Sequence, residues 1–320
     1  MLFKRVLLQK GLISLALRKD VSHIIYLGSP YYITTWISAA LARLAGKKVF
    51  FWTHGWLDRE HSLKGWITKL FFRLSHAMLL YGQRAKAIGI ENGFDPDSLY
   101  VIYNSLNYSK QKELRNKISF ADIKCVREEL FNDPHHPLVV FVGRLTKRTK
   151  LELLLDASVH LRERGHLLNI LLIGDGSERL ALQSYAKKLK LPVNFYGACY
   201  DDTILARLIL AANVVVVPGS IGLTAIHSLS YGIPVISHNN VEQQGPEVEA
   251  ITPGLSGDLF EQGSSADLAR VLRKWTQSEF VNDSAHQKCF EIVDRYYNPQ
   301  YQRKIIEQAL SGKPASIPCD

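Results

Sequence analysis

The chain has 320 residues, 47% of them apolar, with 39 Lys and Arg against 30 Asp and Glu. That length and apolar content suit about two domains with sizeable cores and exclude a disordered chain, and no apolar run approaches the ~18 residues of a membrane span. The positive excess is lopsided: residues 1–136 hold 20 Lys and Arg against 11 Asp and Glu, whereas 137–320 hold 19 of each. Only the first part therefore asks for an anionic partner, such as nucleic acid, lipid headgroups or a phosphorylated lipid.

The start, MLFKRVLLQKGLISLALRK, is basic and apolar. Lys10 and Arg18 interrupt its apolar stretch and no small-residue cleavage site follows, so it reads as a helix over 4–18 and not as a signal peptide. Strands are predicted at Ser22–Leu27, Val49–Thr53, Ala77–Tyr81 and Tyr100–Tyr103. Helices alternate with them at Tyr32–Leu44, at Trp66–Ser75 and from Gln83 to Gly89 or Gly93. This is the pattern of a parallel, doubly wound sheet. Residues 106–136 are polar and close on Asp133-Pro134-His135-His136-Pro137, a composition shift that reads as a linker. The paired histidines are loop residues or, less simply, metal ligands.

A second alternating series follows, with strands at Leu138–Val142, Asn169–Ile173, Val193–Tyr196 and Val214–Val217. Its helices are Leu151–Gly165, Ser177–Leu189, Asp267–Trp275, Asn282–Tyr296 and Pro299–Leu310. The chain is organised around VVVVPGSIGLTAIHSLSYGIPVIS, residues 214–237. Four β-branched residues make a buried strand, Pro218, Gly219 and Ser220 stop it, and Gly222 opens a helix that ends at Gly232. A strand, a glycine-bearing loop and a helix start together make an anion site above a parallel sheet. An ordinary buried β-α-β unit has the same pattern. The four cysteines (Cys125, Cys199, Cys289, Cys319) are scattered without a CxxC, which argues against a disulfide framework or a zinc site and fits a reducing cytoplasm.

Gly143-Arg144-Leu145, Ile173-Gly174-Asp175-Gly176, Phe195-Tyr196-Gly197, Pro218–Val235 and Pro246-Glu247 follow in one order and spacing. They resemble the donor-binding half of family-4 glycosyltransferases, which have the GT-B fold. The resemblance is strong over 138–275, and His54-Gly55 with Ile102-Tyr103-Asn104 extends it over 22–105. It implies an α/β chain of two Rossmann-like domains facing across a cleft. The acceptor-side domain is expected over 1–118, a linker over 119–137, the nucleotide-sugar domain over 138–285 and C-terminal helices over 286–320, the last packing back on the first domain.

The activity so implied is retaining transfer of a sugar from a nucleoside-diphosphate sugar, with no metal or other cofactor. Arg144 and Lys150 would grip the diphosphate, although the family's lysine slot itself falls on Thr149. The leaving group gains negative charge as the glycosidic bond breaks, so fixed cations stabilise that transition state. A solvated basic loop is the plain alternative for Arg144 and Lys147–Lys150. Gly222 and Leu223 would turn backbone N–H groups to the same diphosphate, and Gly143, Gly174, Tyr196, Gly197, Gly219 and Ser220 would complete the donor pocket. His54, at a strand end, would contact the transferred sugar or its phosphate, or else serve as a structural hydrogen bonder.

Two features depart from the family. Its paired glutamates fall in register on Gly219 and His227. His227 can still hydrogen-bond a ribose hydroxyl, and Glu247 is the best replacement carboxylate in the acidic Glu242–Glu249 loop. The pattern PGxxGLxxxHSLxxGxPVIxH resembles a branch of bacterial capsule and O-antigen polysaccharide transferases. Family members also begin with a strand and glycine loop upstream of the equivalent of Ser22, so the first domain is expected to lack its first βα unit and to expose a sheet edge.

Ser62–His76 interleaves Lys64, Lys69 and Arg73 with Trp66, Ile67, Leu70, Phe71 and Phe72. It is a core helix with a cationic edge or a helix lying on an anionic membrane surface. The second reading places a cytoplasmic enzyme at the inner face of the membrane with a lipid-linked saccharide acceptor; a soluble saccharide is the other. Nucleic acid is rejected because no module for it is present. A catalytically silent relative that binds a nucleotide sugar or a partner transferase is the competing function.

Overall fold

A computed structural model describes residues 7–56, 63–277 and 283–315, and the chain divides into two units, Met1–Tyr103 with Gln300–Asp320, and Asn104–Pro299. In the first unit α1 (Leu12–Ala16), β1 (His23–Leu27), α2 (Ile33–Leu44), β2 (Lys48–Thr53), α3 (Leu63–Phe72), β3 (Ala77–Leu80), α4 (Gln83–Glu91) and β4 (Leu99–Val101) alternate. The four strands pair side by side in chain order, all parallel, with β1 at one edge. Successive strand residues point to opposite faces. Val49, Phe51, Met78 and Leu80 therefore pack with Phe71, Phe72 and Ile88 on one side, and Phe50, Ala77 and Leu79 pack on the other.

The helix expected over 4–18 shrinks to the five residues of α1, residues 4–6 of that reading lying outside the described ones. Gly11 is the reason: it adopts φ 83°, a left-handed conformation that interrupts a helix. Upstream of it Leu7 bridges to Tyr32 instead.

The second unit runs α5 (Tyr108–Lys117), α6 (Phe120–Leu130), β5 (Leu138–Val142), α7 (Glu152–Arg162), β6 (Asn169–Ile173), α8 (Arg179–Leu189), β7 (Val193–Gly197), α9 (Asp202–Leu210), β8 (Val214–Val217), α10 (Thr224–Ser230), β9 (Val235–His238), β10 (Gly257–Phe260), α11 (Ser265–Thr276) and α12 (Asp283–Tyr296). Its six parallel strands are ordered β10-β9-β8-β5-β6-β7. Much of the segment read as a linker over 119–137 is the helix α6, opened by a capping box between Ser119 and Asp122. Val126 and Phe131 are buried with Leu138, Val140 and Val215 in this unit's core, so the polar composition belongs to a solvated helix face. Finally α13 (Pro299–Leu310) lays Ile305 and Ala309 on the first unit's sheet beside Phe50 and Leu79.

Cys125, Cys199 and Cys289 are free thiols, while Cys319 lies outside the described residues. Among the described residues no helix is long and apolar enough to cross a membrane.

Candidate functional site

Strand order in the second unit reverses at β5: β6 and β7 lie on one side of it, β8, β9 and β10 on the other. In open α/β sheets ligands bind at such a switch point, beyond the carboxyl ends of the strands. The loops leaving β5 and β8, residues 143–150 and 218–223, therefore stand side by side there. Their approach is close enough to demand glycine. A Cβ on Gly219 would lie 2.0 Å from the Arg148 carbonyl oxygen, and one on Gly174, whose φ is 142°, would lie 1.8 Å from that of Gly143. No carboxylate can occupy position 219 in this backbone. The neighbouring loops are stitched together by Gly143 N–H to Ile173 O (2.9 Å), Leu145 N–H to Asp175 O (3.0 Å) and Gly174 N–H to Gly197 O (2.8 Å). Gly143, Gly174, Gly197 and Gly219 thus belong to one layer of loops.

The β5 loop carries the cations. Arg144, Lys147 and Arg148 are exposed and Lys150 is half-buried. Among the described residues none of the four forms an ion pair, so their field is available to an anionic ligand. Lys150 sits at φ 49°, a left-handed conformation that a side-chain-bearing residue adopts at a cost.

The β8 loop is held by residues that lacked a sequence signal. Gln244 Nε2 donates to Ser237 Oγ (2.9 Å) and to the His238 carbonyl (2.9 Å), while its Oε1 accepts from Ile221 N–H at 2.7 Å. Ser237 Oγ donates to Val217 O at 2.9 Å, and Thr224 Oγ1 to Val142 O at 3.2 Å, tying the start of α10 to the end of β5. Ser220 is half-buried in this turn and Leu223 is exposed. Among the described residues none accepts a backbone hydrogen bond from Gly222 or Leu223. Helix α10 has seven residues, so it offers those N–H groups and little dipole.

His227, on α10, packs 5.5 Å from the Tyr231 ring. Burial pushes its pKa down, opposed by Asp202 at the start of α9, and burial pushes the Tyr231 hydroxyl up to about 12. Tyr196, the penultimate residue of β7, is 39% exposed. Glu247 is buried and its carboxylate accepts a hydrogen bond from the Asn104 side-chain amide. His54 belongs to the first unit, where it is exposed and its ring lies 4.7 Å from Tyr81. His135 and His136 are loop residues that meet Asp133, through a backbone N–H at 3.2 Å and Nε2 at 3.3 Å.

Several comparisons match this architecture. HepE of Anabaena, solved with UDP, superposes with a TM-score of 0.70 at 20% identity over 87% of this chain and 76% of its own. The lipopolysaccharide outer core galactosyltransferase WaaB does so with a TM-score of 0.66 at 20% identity over 91% and 75%. Two parallel-sheet α/β units of this kind define a GT-B glycosyltransferase fold. The family described as glycosyl transferases group 1 matches residues 122–289, and the chain belongs to it. An uncharacterized glycosyltransferase of Methanocaldococcus jannaschii is 28% identical over 207 residues, 61% of this chain and 50% of that relative. A glycogen synthase of Edwardsiella ictaluri is 32% identical over 186 residues, 53% of this chain and 39% of the enzyme. The chain spans half or less of the length of these curated relatives.

Proposed function

We propose that this chain transfers a sugar from a nucleoside-diphosphate sugar, with retention, to a saccharide or lipid-linked saccharide acceptor in capsule or O-antigen polysaccharide synthesis, as in family 4. The observation that supports it most is the switch point between β5 and β8. Among the described residues Arg144 and Lys150 form no ion pair there, and none accepts a backbone hydrogen bond from Gly222 or Leu223 in the adjoining loop, which close glycine packing holds against the β5 loop. HepE, which shares the fold, has been solved with UDP and with UDP-glucose, and that supports a nucleotide-sugar donor.

In this reading Arg144 and Lys150 stabilise the departing diphosphate without a metal. His227, kept neutral by burial, hydrogen-bonds the ribose. His54 is a catalytic residue in this reading. The membrane reading draws on α3, whose Leu63, Trp66 and Leu70 are exposed on a helix that also carries Lys64 and Lys69. Phe71 and Phe72 of the same helix are buried, so α3 also serves the core. An apolar stripe flanked by cations suits the anionic inner face of a cytoplasmic membrane.

Thermal shift with UDP, GDP, dTDP and their sugars tests the donor. One diphosphate is expected to raise the melting temperature by mass action; no shift with any of them overturns the reading. The silent-relative alternative draws on Gly219, which has no room for a carboxylate. Release of free diphosphate from a bound sugar nucleotide in the presence of acceptor separates the two.

A further inference from the structure

His238 ends β9 and is only 1% exposed. Its Nδ1 is sealed from solvent with no partner among the described residues. Its backbone carbonyl accepts from Gln244, whereas no described residue forms a hydrogen bond with its Nε2. Buried polar groups nearly always find partners, so an imidazole with both nitrogens idle calls for a reason. The ring meets Phe260 edge-on, with centroids 6.5 Å apart. Burial and the nearby charge of Lys150 both disfavour its protonated form, which leaves a neutral ring with one donor and one acceptor nitrogen.

The position of this residue supplies the reason. Strands β8 and β9 are paired in register, Val217 against Ser237. One position further on, Pro218 follows β8 and His238 ends β9, next to the loop that holds Gly219, where the family resemblance expects a carboxylate and the Arg148 carbonyl forbids any side chain. Ser237 and Gln244 beside that loop are engaged with one another and with backbone, whereas the ring at the adjoining strand end is able to read a hydroxyl, and Gln244 clamps its backbone to the β8 loop at Ile221. A sugar hydroxyl both donates and accepts, which suits a neutral imidazole of either tautomer.

Resting on the donor reading above, we infer that His238 is a specificity-determining residue whose Nε2 hydrogen-bonds a hydroxyl of the transferred sugar. It replaces the carboxylate missing at position 219. It contributes to recognition of the sugar and not of the nucleoside diphosphate.

Calorimetric titration of the full chain with UDP, GDP and dTDP, and with UDP-glucose, UDP-galactose, UDP-N-acetylglucosamine, GDP-mannose and dTDP-glucose, measures the affinity each sugar adds to its bare diphosphate. His238→Leu is expected to leave the bare diphosphate within twofold of the wild type and to remove about tenfold of the sugar's increment. His238→Gln, whose amide reaches the place of Nε2, restores most of it, whereas His238→Asn, whose amide reaches only the place of Nδ1, does not. Equal losses for bare diphosphate and sugar nucleotide, unchanged binding in His238→Leu, equal behaviour of the Gln and Asn variants, or no sugar increment in the wild type each overturn the inference. Failure of every diphosphate to bind the wild type overturns the donor reading itself, and the inference with it.

Discussion

The side-chain amide of Asn104 donates a hydrogen bond to the carboxylate of Glu247 across 143 positions of sequence. Asn104 is the first residue of the second unit, and Glu247 lies in the short turn of helix Pro246–Ala250. Glu247 is 4% exposed, so the bond satisfies a carboxylate with little access to water. Removing one partner of such a bond leaves the other buried and unsatisfied. Asn104→Ala is expected to destabilise the fold by about 1–3 kcal/mol, read as a lower urea midpoint with an unchanged slope. Asn104→Asp places two carboxylates together and should cost more. A wild-type midpoint for both variants would show that Glu247 finds another partner.

Gly219 is fixed by its surroundings and not by its own conformation. A methyl group there would stand 2.0 Å from the Arg148 carbonyl oxygen, and backbone cannot step aside as a flexible side chain does. Gly219→Ala is therefore expected to lower the melting temperature by several degrees, the shift that ~1–3 kcal/mol of strain produces, and to weaken diphosphate binding by separating the β5 and β8 loops. In Gly222→Ala the added carbon meets nothing within 4 Å, and its melting temperature should stay close to the wild type. Equal melting temperatures for the two variants would refute the close packing of the loops.

Burial holds the pKa values of His76, His227 and His238 below the ordinary 6.5. At His76 the neutral ring also accepts from Val49 N–H at 3.0 Å, a bond lost on protonation. A histidine depressed in the folded state binds fewer protons there than in the unfolded chain. Stability is then complete above about pH 7 and falls as pH drops below roughly 6.5, with a slope of at most ~1.4 kcal/mol per pH unit for each such histidine. Urea unfolding from pH 7.5 to 5 should show this loss, and His76→Asn should flatten it. A pH-independent midpoint over that range would show that the rings are hydrated.

The alternation of strands and helices was legible because its strands are short, apolar and β-branched, as in Val214–Val217. The glycine landmarks were legible because close loop packing tolerates no other residue, as Gly174 and Gly219 show. Helix α6 escaped notice because only Val126 of its residues is buried, so its charged face dominates the composition. Helix α9 has a start signal in Asp201, which caps Thr203 and Ile204, but only nine residues to show a period, and strand β10 is a run of four. Gln244 had no signal in the sequence, and His238 stood only as the last letter of the PGxxGLxxxHSLxxGxPVIxH pattern, with no role attached to it. Their importance comes from burial and from partners such as Ile221 and Phe260, and no local pattern announces those.

Arg144 offers the clearest separation of binding from stability. Its side chain is exposed, no described residue pairs with it, and it follows a glycine in the loop leaving β5. Arg144→Ala should therefore leave the melting temperature within about 1 °C, as expected of a surface change worth less than ~0.5 kcal/mol. A charge-assisted bond to phosphate contributes about 1.5–3 kcal/mol, so diphosphate affinity should fall by roughly 10- to 100-fold. Arg144→Lys keeps the charge but loses the planar fork, and an intermediate loss is expected. Calorimetry with the diphosphate that best stabilises the wild type provides the measurement. Unaltered affinity in Arg144→Ala would remove this residue from the donor site and leave Lys150 as the cation to test. Parallel losses of affinity and melting temperature would assign Arg144 to the integrity of the loop instead.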